Sequence, residues 1–261
     1  MKKVPIAMIF SAVVLGLTLL AFGQRNYQSL DYQLLRAAES GDTAAVQQLL
    51  QKGAHIEFND DPGVGDGQNR SALCAAAYKG QIEVVKLLLE KGANLEFVDA
   101  GNNRTALYLA AQSGKIELVK LLMEKGAKTG SALVPAADGG YTEVVKLLVD
   151  KGANIEARDF QGRTALIAAS ISSDSKIWAD KTEIVKLLLD KGANIEAWNS
   201  DHYTPLLCAA YKGQTEVVKL LLQKGARIDA KDKLGNTALI MALGQGNLEI
   251  AKLLEAKGAH L

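Results

Sequence analysis

The sequence predicts an all-α repeat solenoid. The first observation is that a helical pattern, Glu-Val-Val-Lys-Leu-Leu-Leu followed by Lys-Gly-Ala, recurs along the chain with small variations. The second is that alanine and leucine are abundant, whereas aromatic residues make up only 5% of the chain. Such a composition favours helices over sheets, and self-similarity at a fixed period is typical of repeat architectures. We therefore expect helix pairs that stack on one another.

The Gly-Ala step that ends each helical pattern sets the length of the repeat. This step begins at Gly53, Gly92, Gly126, Gly152, Gly192, Gly225 and Gly258. The intervals are 39, 34, 26, 40, 33 and 33 residues. The base period is therefore 33 residues, with insertions and one deletion, and the seven copies indicate seven units.

Each unit predicts two helices. Serine or threonine opens the first helix, where a hydroxyl can accept a hydrogen bond from a free backbone N–H group. The residues at this position are Ser71, Thr105, Ser131, Thr164, Thr204 and Thr237. Alanine pairs such as Ala76-Ala77 then allow helices to approach closely. The second helix has apolar residues spaced three and four apart, as at Val84, Leu87 and Leu88. It ends at Lys-Gly, where glycine can adopt a positive φ.

This unit resembles the ankyrin repeat over residues 31–261. Thr204-Pro205-Leu206 is the closest match to the opening motif of that family. The histidine that normally follows the motif is Leu207 here, and no other unit has it either. The resemblance implies an ankyrin-repeat array in which short β-hairpin fingers connect the helix pairs.

The end units carry polar substitutions in the second helix. A position that holds leucine in the other units is Gln48 in the first unit, and two places later the last unit has Glu255. Polar replacements on opposite sides are what solvent-facing terminal repeats require. We expect residues 31–261 to form one ankyrin-repeat domain of seven units, with the first and last as caps.

The N-terminal 23 residues have the pattern of an export signal. Two lysines precede an uncharged stretch at 4–22, and small residues follow it. We expect a signal peptide at 1–23, cleaved before Gln24, and a short linker at 24–30. The alternative is an uncleaved membrane anchor at 4–22, because this stretch is close to the minimum for a bilayer span, about 17–25 residues. Both interpretations place the repeats outside the cytoplasm.

Three irregularities in the period mark candidate binding loops, because insertions in repeat proteins map to loops. An acidic, glycine-rich insertion covers 59–67; its spacing lacks the final glutamate of an EF-hand calcium loop, which favours an extended turn. A deletion leaves four residues between Gly126 and Ser131, so the finger before the fourth repeat should be missing. An insertion at 171–180 separates the helices of the fifth repeat. Its Trp178 either packs on the helices or contacts a partner.

The resemblance implies a recognition surface formed by the finger tips and the inner face of the first helices. The partner-binding candidates at these positions are Arg70, Tyr78, Arg104, Gln112, Phe160, Arg163, Trp198, Tyr203 and Tyr211. Trp178 of the insertion is a further candidate. We expect Trp198, His202, Tyr203 and Tyr211 to cluster near the sixth finger. A surface rich in aromatic and basic residues fits a protein partner, although single surface aromatics need no special explanation.

Patterns of catalysis and metal binding are absent from the sequence. None of the three histidines has a cysteine or glutamate at metal-ligand spacing, and the sequence has no P-loop and no nucleophile elbow. We expect no enzyme activity, no cofactor and no metal; the alternative is an enzyme with an unusual site in the Trp178 loop. Cys74 and Cys208 lie four repeats apart, too far for a disulfide, which needs Cα atoms within about 7 Å.

The balance of 30 basic and 29 acidic residues argues against a nucleic-acid partner. The resulting hypothesis is an exported, bacterial, periplasmic protein, monomeric and non-catalytic, that binds another protein through its concave face and finger tips. Candidate roles are inhibitor, immunity or protective factor for an envelope enzyme. The alternatives are a membrane-tethered ankyrin scaffold and a secreted effector that binds a host protein. The sequence does not identify the partner.

Overall fold

The computed structural model describes residues 29–59, 70–99, 104–171 and 178–260, with the side chains of 178–180 excepted. These residues form fourteen α-helices and no β-strand, and their one isolated β-bridge joins Asn59 and Ser71. The chain divides into two compact units, one ending at Thr105 and the other beginning at Ala106. The expected signal peptide or anchor at 1–23 lies outside the described residues, as does the linker up to residue 28.

The first unit contains two helix pairs. Its helices are α1 (Leu30–Ser40), α2 (Thr43–Gln51), α3 (Ala72–Lys79) and α4 (Ile82–Glu90). The first helices of the pairs, α1 and α3, pack against each other, and so do the second helices, α2 and α4. Helix α1 begins one residue before the expected domain boundary at 31, because the hydroxyl of Ser29 accepts a hydrogen bond from the N–H of Tyr32 and caps the helix.

The second unit contains five helix pairs. Its helices are α5 (Ala106–Gln112), α6 (Ile116–Glu124), α7 (Leu133–Asp138), α8 (Thr142–Asp150), α9 (Ala165–Ala169), α10 (Trp178–Asp190), α11 (Pro205–Lys212), α12 (Thr215–Gln223), α13 (Ala238–Gly244) and α14 (Leu248–Ala256). The odd-numbered helices pack in one row and the even-numbered helices in a second row. The predicted all-α repeat solenoid is therefore confirmed, with seven helix pairs over the described residues.

Caps at the starts of the first helices explain where these helices begin. The hydroxyls of Ser71, Thr164, Thr204 and Thr237 accept hydrogen bonds from the backbone N–H three residues later, as predicted. The prediction was wrong for Ser131, because α7 has Ala132 at its N-cap and no side-chain cap. The shortened connection reaches the helix through a tight turn, in which the Ala132 N–H donates to the Thr129 carbonyl at 2.9 Å.

The core lies between the two helix rows of each unit. Alanine pairs of the first helices are fully buried, as at Ala76-Ala77 and Ala209-Ala210. The second helices bury Leu88, Leu122, Leu148, Leu188, Leu221 and Leu254 completely. The positions that hold histidine in the family are Cys74, Tyr108, Val134, Ile167 and Leu207, all buried, and Ile240, which is exposed. Apolar packing thus occupies the place of the missing histidine in all but the last unit.

Two polar substitutions distinguish the end units. Gln48 and Glu255 are exposed, whereas the leucines at the same positions in the neighbouring units, such as Leu87 and Leu222, are half-buried. Because Gln48 and Glu255 face solvent, their polar groups do not incur the free-energy cost of being buried without a hydrogen-bond partner.

The outer surface of the second helices carries a row of glutamate–lysine ion pairs. Pairs three residues apart are Glu83–Lys86, Glu117–Lys120, Glu143–Lys146 and Glu216–Lys219, with N–O distances of 2.7–3.0 Å. Lys146 also contacts Glu183 of the next helix pair at 2.9 Å, and these two glutamates raise the pKa of Lys146. The repeated carboxylates act as surface ion pairs, each of small energetic weight.

A recurrent hydrogen bond joins neighbouring helix pairs. The side chain just before the second helix of one pair donates to a carbonyl at the end of the first helix of the preceding pair. Gln81 Nε2 donates to Glu39 O at 3.0 Å, and Asn247 Nδ2 donates to Ala210 O at 2.9 Å. The buried Lys181, which lies in the first turn of α10, also donates to Asp138 O at the end of α7. These bonds satisfy carbonyls that a helix end leaves without an internal partner.

Replacing Asn247 with alanine tests this joint. The loss of a half-buried hydrogen bond that leaves carbonyls of α11 unsatisfied should lower the free energy of unfolding by about 1–2 kcal/mol. Urea denaturation followed by circular dichroism measures the change. The control is Gln245→Ala, which removes an exposed amide two residues away and should change stability by less than about 0.5 kcal/mol. Equal effects of the two substitutions would contradict the assignment.

Candidate partner-binding surface

Each described finger is closed by the side chain of an aspartate or asparagine. Asp99, Asp159, Asn199 and Asp232 accept hydrogen bonds from the backbone N–H four or five residues later, at 2.8–2.9 Å. In all four cases a backbone hydrogen bond runs the opposite way, for example from Asp159 N to Arg163 O at 3.1 Å. In the fifth, sixth and seventh repeats, the fingers implied by the family resemblance are thus tight turns, and no strand forms in the described residues.

Two of the predicted partner-binding arginines take part in this closure. Arg104 Nε donates to Asp99 at 2.6 Å, and Arg163 Nε donates to Asp159 at 2.8 Å. Only 12% and 15% of the two arginine side chains are exposed. Both carboxylates are fully buried, and a buried carboxylate that loses its cation destabilises a protein by about 3–5 kcal/mol. Their guanidinium groups therefore hold the fingers, and a role in partner binding stays a prediction.

The predicted residues of the second repeat also interact with each other. Arg70 is buried, and its guanidinium lies 4.3 Å from the centre of the Tyr78 ring. Lys79 Nζ lies 5.8 Å from the same ring. Tyr78 is half-buried on α3, and Gln112 is half-buried at the end of α5. Arg70 is therefore not an exposed finger-tip cation, because its charge stacks on an aromatic face.

The predicted aromatic residues of the fifth and sixth repeats are exposed. Phe160 is 62% exposed, Trp198 is 53% exposed and Tyr211 is 38% exposed. Tyr203 differs, because it packs against the buried cluster of Ile167, Ala197 and Cys208. Burial, and then the nearby charge of Asp232, raise the pKa of Tyr203. Tyr203 thus supports the sixth finger, while the other three aromatic side chains face solvent.

Hydrogen bonds connect the fingers of the fifth, sixth and seventh repeats into one row. Ser200 Oγ donates to Gln161 O at 2.9 Å, and Lys233 N donates to Asp201 O at 3.3 Å. Arg158 Nη1 donates to Gly162 O at 2.6 Å and to Trp198 O at 2.5 Å. The guanidinium of Arg158 also lies 5.8 Å from the centre of the Trp198 ring. The exposed aromatics are therefore held on a connected row of turns.

His202 has the one positive φ among the described non-glycine residues, at 63°. It occupies the turn position that holds Gly162 in the fifth finger and Gly235 in the seventh, whose φ values are 72° and 84°. A side chain in this left-handed conformation costs about 1 kcal/mol. The imidazole lies against Trp198, with ring centroids 4.7 Å apart and planes inclined at 59°. Of the four residues expected to cluster here, Trp198 and His202 are in ring contact, whereas Tyr203 packs against Ile167, Ala197 and Cys208.

A groove opens beside these two rings. Its volume is about 610 Å³, and its lining includes Glu196, Trp198, His202, Arg227, Asp229 and Lys231. Asp232, at the base of the seventh finger, has a lowered pKa: burial raises it, but hydrogen bonds from the side chain and N–H of Asn236 and from the N–H of Leu234 outweigh that effect. The finger beside the groove therefore keeps an ionised closing residue at neutral pH.

The sequence interpretation missed three features of this surface. The first is Arg158, which connects the fifth and sixth fingers. It occupies the same repeat position as Trp198 and Lys231, and this shared position was the signal that could have identified it. Leu234 at the tip of the seventh finger is 84% exposed. The strained conformation of His202 could have been inferred from the glycines in the same turn position of the neighbouring repeats.

The three irregularities contribute less to the described surface. Most of the insertion at 59–67, with its calcium alternative, lies outside the described residues. Positions 172–177 of the third irregularity also lie outside the described residues, and so does the side chain of Trp178 at the start of α10. The alternative of an enzyme site in this loop is therefore untested. At the deletion, a recess of about 310 Å³ opens beside the shortened turn, between Met123, Thr129 and Leu147.

The described ranges contain no group of three or more histidine, cysteine, aspartate or glutamate side chains placed to hold a metal ion. They also contain no helix with the length and apolar character needed to cross a membrane. Cys74 and Cys208 are free, buried thiols. Burial raises their pKa values to about 11 and about 12, so neither is a ready nucleophile at neutral pH.

The helix pairs and their fingers define an all-α repeat protein, and comparison with known sequences identifies its family. The family described as ankyrin repeats (3 copies) matches residues 34–132, 127–197 and 176–261. The chain belongs to the ankyrin-repeat family, whose members generally bind other proteins and are typically non-catalytic.

One solved structure with this similarity is that of the human ASB11 ankyrin repeat domain. It is 27% identical in sequence and has a TM-score of 0.69. The match covers 87% of this chain and 98% of that chain. No curated protein matches.

The strained turn at His202 gives a test. His202→Gly should raise the free energy of unfolding by about 0.5–1 kcal/mol, because glycine adopts a positive φ without the steric penalty. Urea denaturation measures the change. Asp201→Gly is the matched control: its φ is not positive, so added chain entropy in the unfolded state should lower stability. Destabilisation by both substitutions would show that the conformation of His202 is not strained.

Proposed function

We propose that this protein is a non-catalytic scaffold that binds a partner protein through the finger tips and first helices of the fifth to seventh repeats. The observation that carries the proposal is the exposure of Phe160, Trp198 and Tyr211 on or beside a connected row of fingers. Large aromatic side chains supply much of the binding energy in protein interfaces. Family membership supports the general class of activity.

The hydrogen bonds between the fingers support the same proposal. A surface that is already ordered loses little conformational entropy on binding, so more of its contact energy appears as affinity. Hydrogen bonds to backbone carbonyls of the neighbouring finger connect the fifth, sixth and seventh fingers; the donors are Ser200, Lys233 and Arg158. The exposed aromatics are therefore presented in a fixed arrangement.

We further propose that binding takes place outside the cytoplasm, in the periplasm. The uncharged stretch at 4–22 behind two lysines supports export. An envelope enzyme, inhibited or protected by the scaffold, is the partner that this location favours. A membrane-tethered scaffold follows from the same segment if it is not cleaved.

Substitution of the exposed aromatics tests the binding surface. Tagged protein should recover a specific partner from envelope extract, and Trp198→Ala combined with Tyr211→Ala should reduce recovery at least about tenfold, since each is expected to contribute more than 1 kcal/mol. Quantitative mass spectrometry measures recovery. Leu248→Ala, which removes an apolar side chain that is 61% exposed on α14, should leave it unchanged. Undiminished capture by the double variant would refute this surface.

Processing of the N-terminus tests the location. The mature protein should begin at Gln24 and appear in the periplasmic fraction, because the residues before it have the size and polarity that signal peptidase requires. Mass spectrometry of the intact purified protein gives the start, and fractionation gives the compartment. An intact N-terminus with recovery in the membrane fraction would establish the tethered alternative, and recovery in the cytoplasmic fraction would refute both.

A further inference from the structure

The last helix pair exposes apolar side chains at positions that the other repeats bury. Leu243 of α13 is 40% exposed, and Ile240, one turn before it, is 36% exposed. The residues at the Leu243 position of the other six repeats are small and have no exposed surface: Ala38, Ala77, Ala111, Ala137, Ser170 and Ala210. Leu248, the first residue of α14, is 61% exposed, whereas the same position is half-buried in each of the other repeats, as at Thr215.

In the other repeats, the cover over these positions comes from the helix pair that follows. The first repeat has no described helix pair before it, yet Leu35 and Ala38, at the positions of Ile240 and Leu243, are buried. In the sixth repeat the following pair supplies this contact, because α11 packs against α13. After α14 the described chain continues to residue 260 without another helix. The exposed apolar side chains therefore lie on the outer side of the last helix pair.

Two charged side chains of α14 complete this surface. At the same repeat position as Lys252, Lys146 and Lys219 each reach a glutamate of the following helix pair, at 2.9 and 3.8 Å. Glu255 lies one turn after Lys252 and is exposed. Among the described residues, neither Lys252 nor Glu255 takes part in an ion pair. The end face is the surface formed by Ile240, Leu243, Leu248, Lys252 and Glu255.

The end face fits a second copy of this chain better than a further repeat. A repeat that stacks in the usual way packs closely over a small residue at the Leu243 position, and close packing leaves no room there for leucine. Two copies related by a two-fold axis present the same surface to each other, so their apolar side chains are removed from water together. The charges also complement themselves, because the cation and the carboxylate one turn apart can each face the opposite group of the other copy.

We propose that the protein forms a weak two-fold dimer through the end face. The two copies of α14 lie antiparallel, and Lys252 of each copy pairs with Glu255 of the other. Ile240, Leu243 and Leu248 supply the apolar contact. One helix pair per copy buries less than the roughly 1,200 Å² of stable complexes, so we expect a dissociation constant on the order of 100 µM. This dimer differs from the expected monomer and is independent of the proposed function.

Sedimentation velocity of the purified protein tests the dimer at concentrations between about 10 and 500 µM, which bracket the expected dissociation constant. The average sedimentation coefficient should rise from that of a monomer towards that of a dimer. Leu243→Ala restores the small residue of the other repeats and should weaken association about tenfold, because it removes apolar surface from both copies. Thermal unfolding followed by circular dichroism shows whether this variant is folded.

Charge reversal tests whether the occupant is a second copy. Lys252→Glu and Glu255→Lys should each weaken association about tenfold, because like charges then face each other across the two-fold axis. An equimolar mixture of the two variants should associate again, since every cation then faces a carboxylate of the other protein. The control is Lys186→Glu: this exposed lysine holds the position of Lys252 in the fifth repeat, and its reversal should leave association unchanged.

A single monomeric species over the whole concentration range overturns the proposal. So does a dimer that Leu243→Ala leaves intact, or a mixture of the two charge variants that associates no better than either variant alone. Species larger than a dimer would indicate head-to-tail stacking and would overturn it as well. Partner capture that requires Trp198 and Tyr211 is unaffected by any of these results, so the proposed function stands or falls separately.

Discussion

Close contact between consecutive first helices is the constraint on which the rest of this structure depends. The alanine pairs, as at Ala209-Ala210, are fully buried, and any larger side chain there would separate neighbouring helices and open a void. No helix pair can bury its own apolar faces, so each is stable only with a neighbour. The side-chain hydrogen bonds of Gln81 and Asn247 across the joints then fix how far one pair is turned relative to the next within each unit.

The stable framework and the candidate partner-binding surface are formed by different parts of the molecule. The helices pack their apolar residues against each other, while the fingers are held by buried acidic side chains or a half-buried amide and by hydrogen bonds from turn to turn. Asp159 and Asn199 close their turns from below, so the residues above them are free to vary in size and charge. Phe160, Trp198 and Leu234 can therefore be exposed without cost to the fold.

Periodicity made the helices and most of their caps predictable, because burial and capping depend on local spacing. It failed at Ser131, where the deletion changed the path of the chain and moved the N-cap to Ala132. Register placed Trp198 and Tyr211 on the surface correctly. It could not show that Arg104 and Arg163 are committed to buried carboxylates, because that depends on distances within one turn. The sequence predicted that Trp198 and His202 lie close together, but the contact and inclination of their rings depend on side-chain orientation.

The joint at Lys181 has a consequence for how this chain can be altered. Seven residues are inserted in the fifth repeat before this lysine, yet its ammonium still reaches the Asp138 carbonyl at the end of α7, as Gln81 and Asn247 reach theirs. The register of the stack is thus set after the insertion and does not depend on the length of what precedes it. The connection between α9 and α10 is therefore a suitable insertion site. A tag or a second binding element could be inserted there without disturbing the helices on either side.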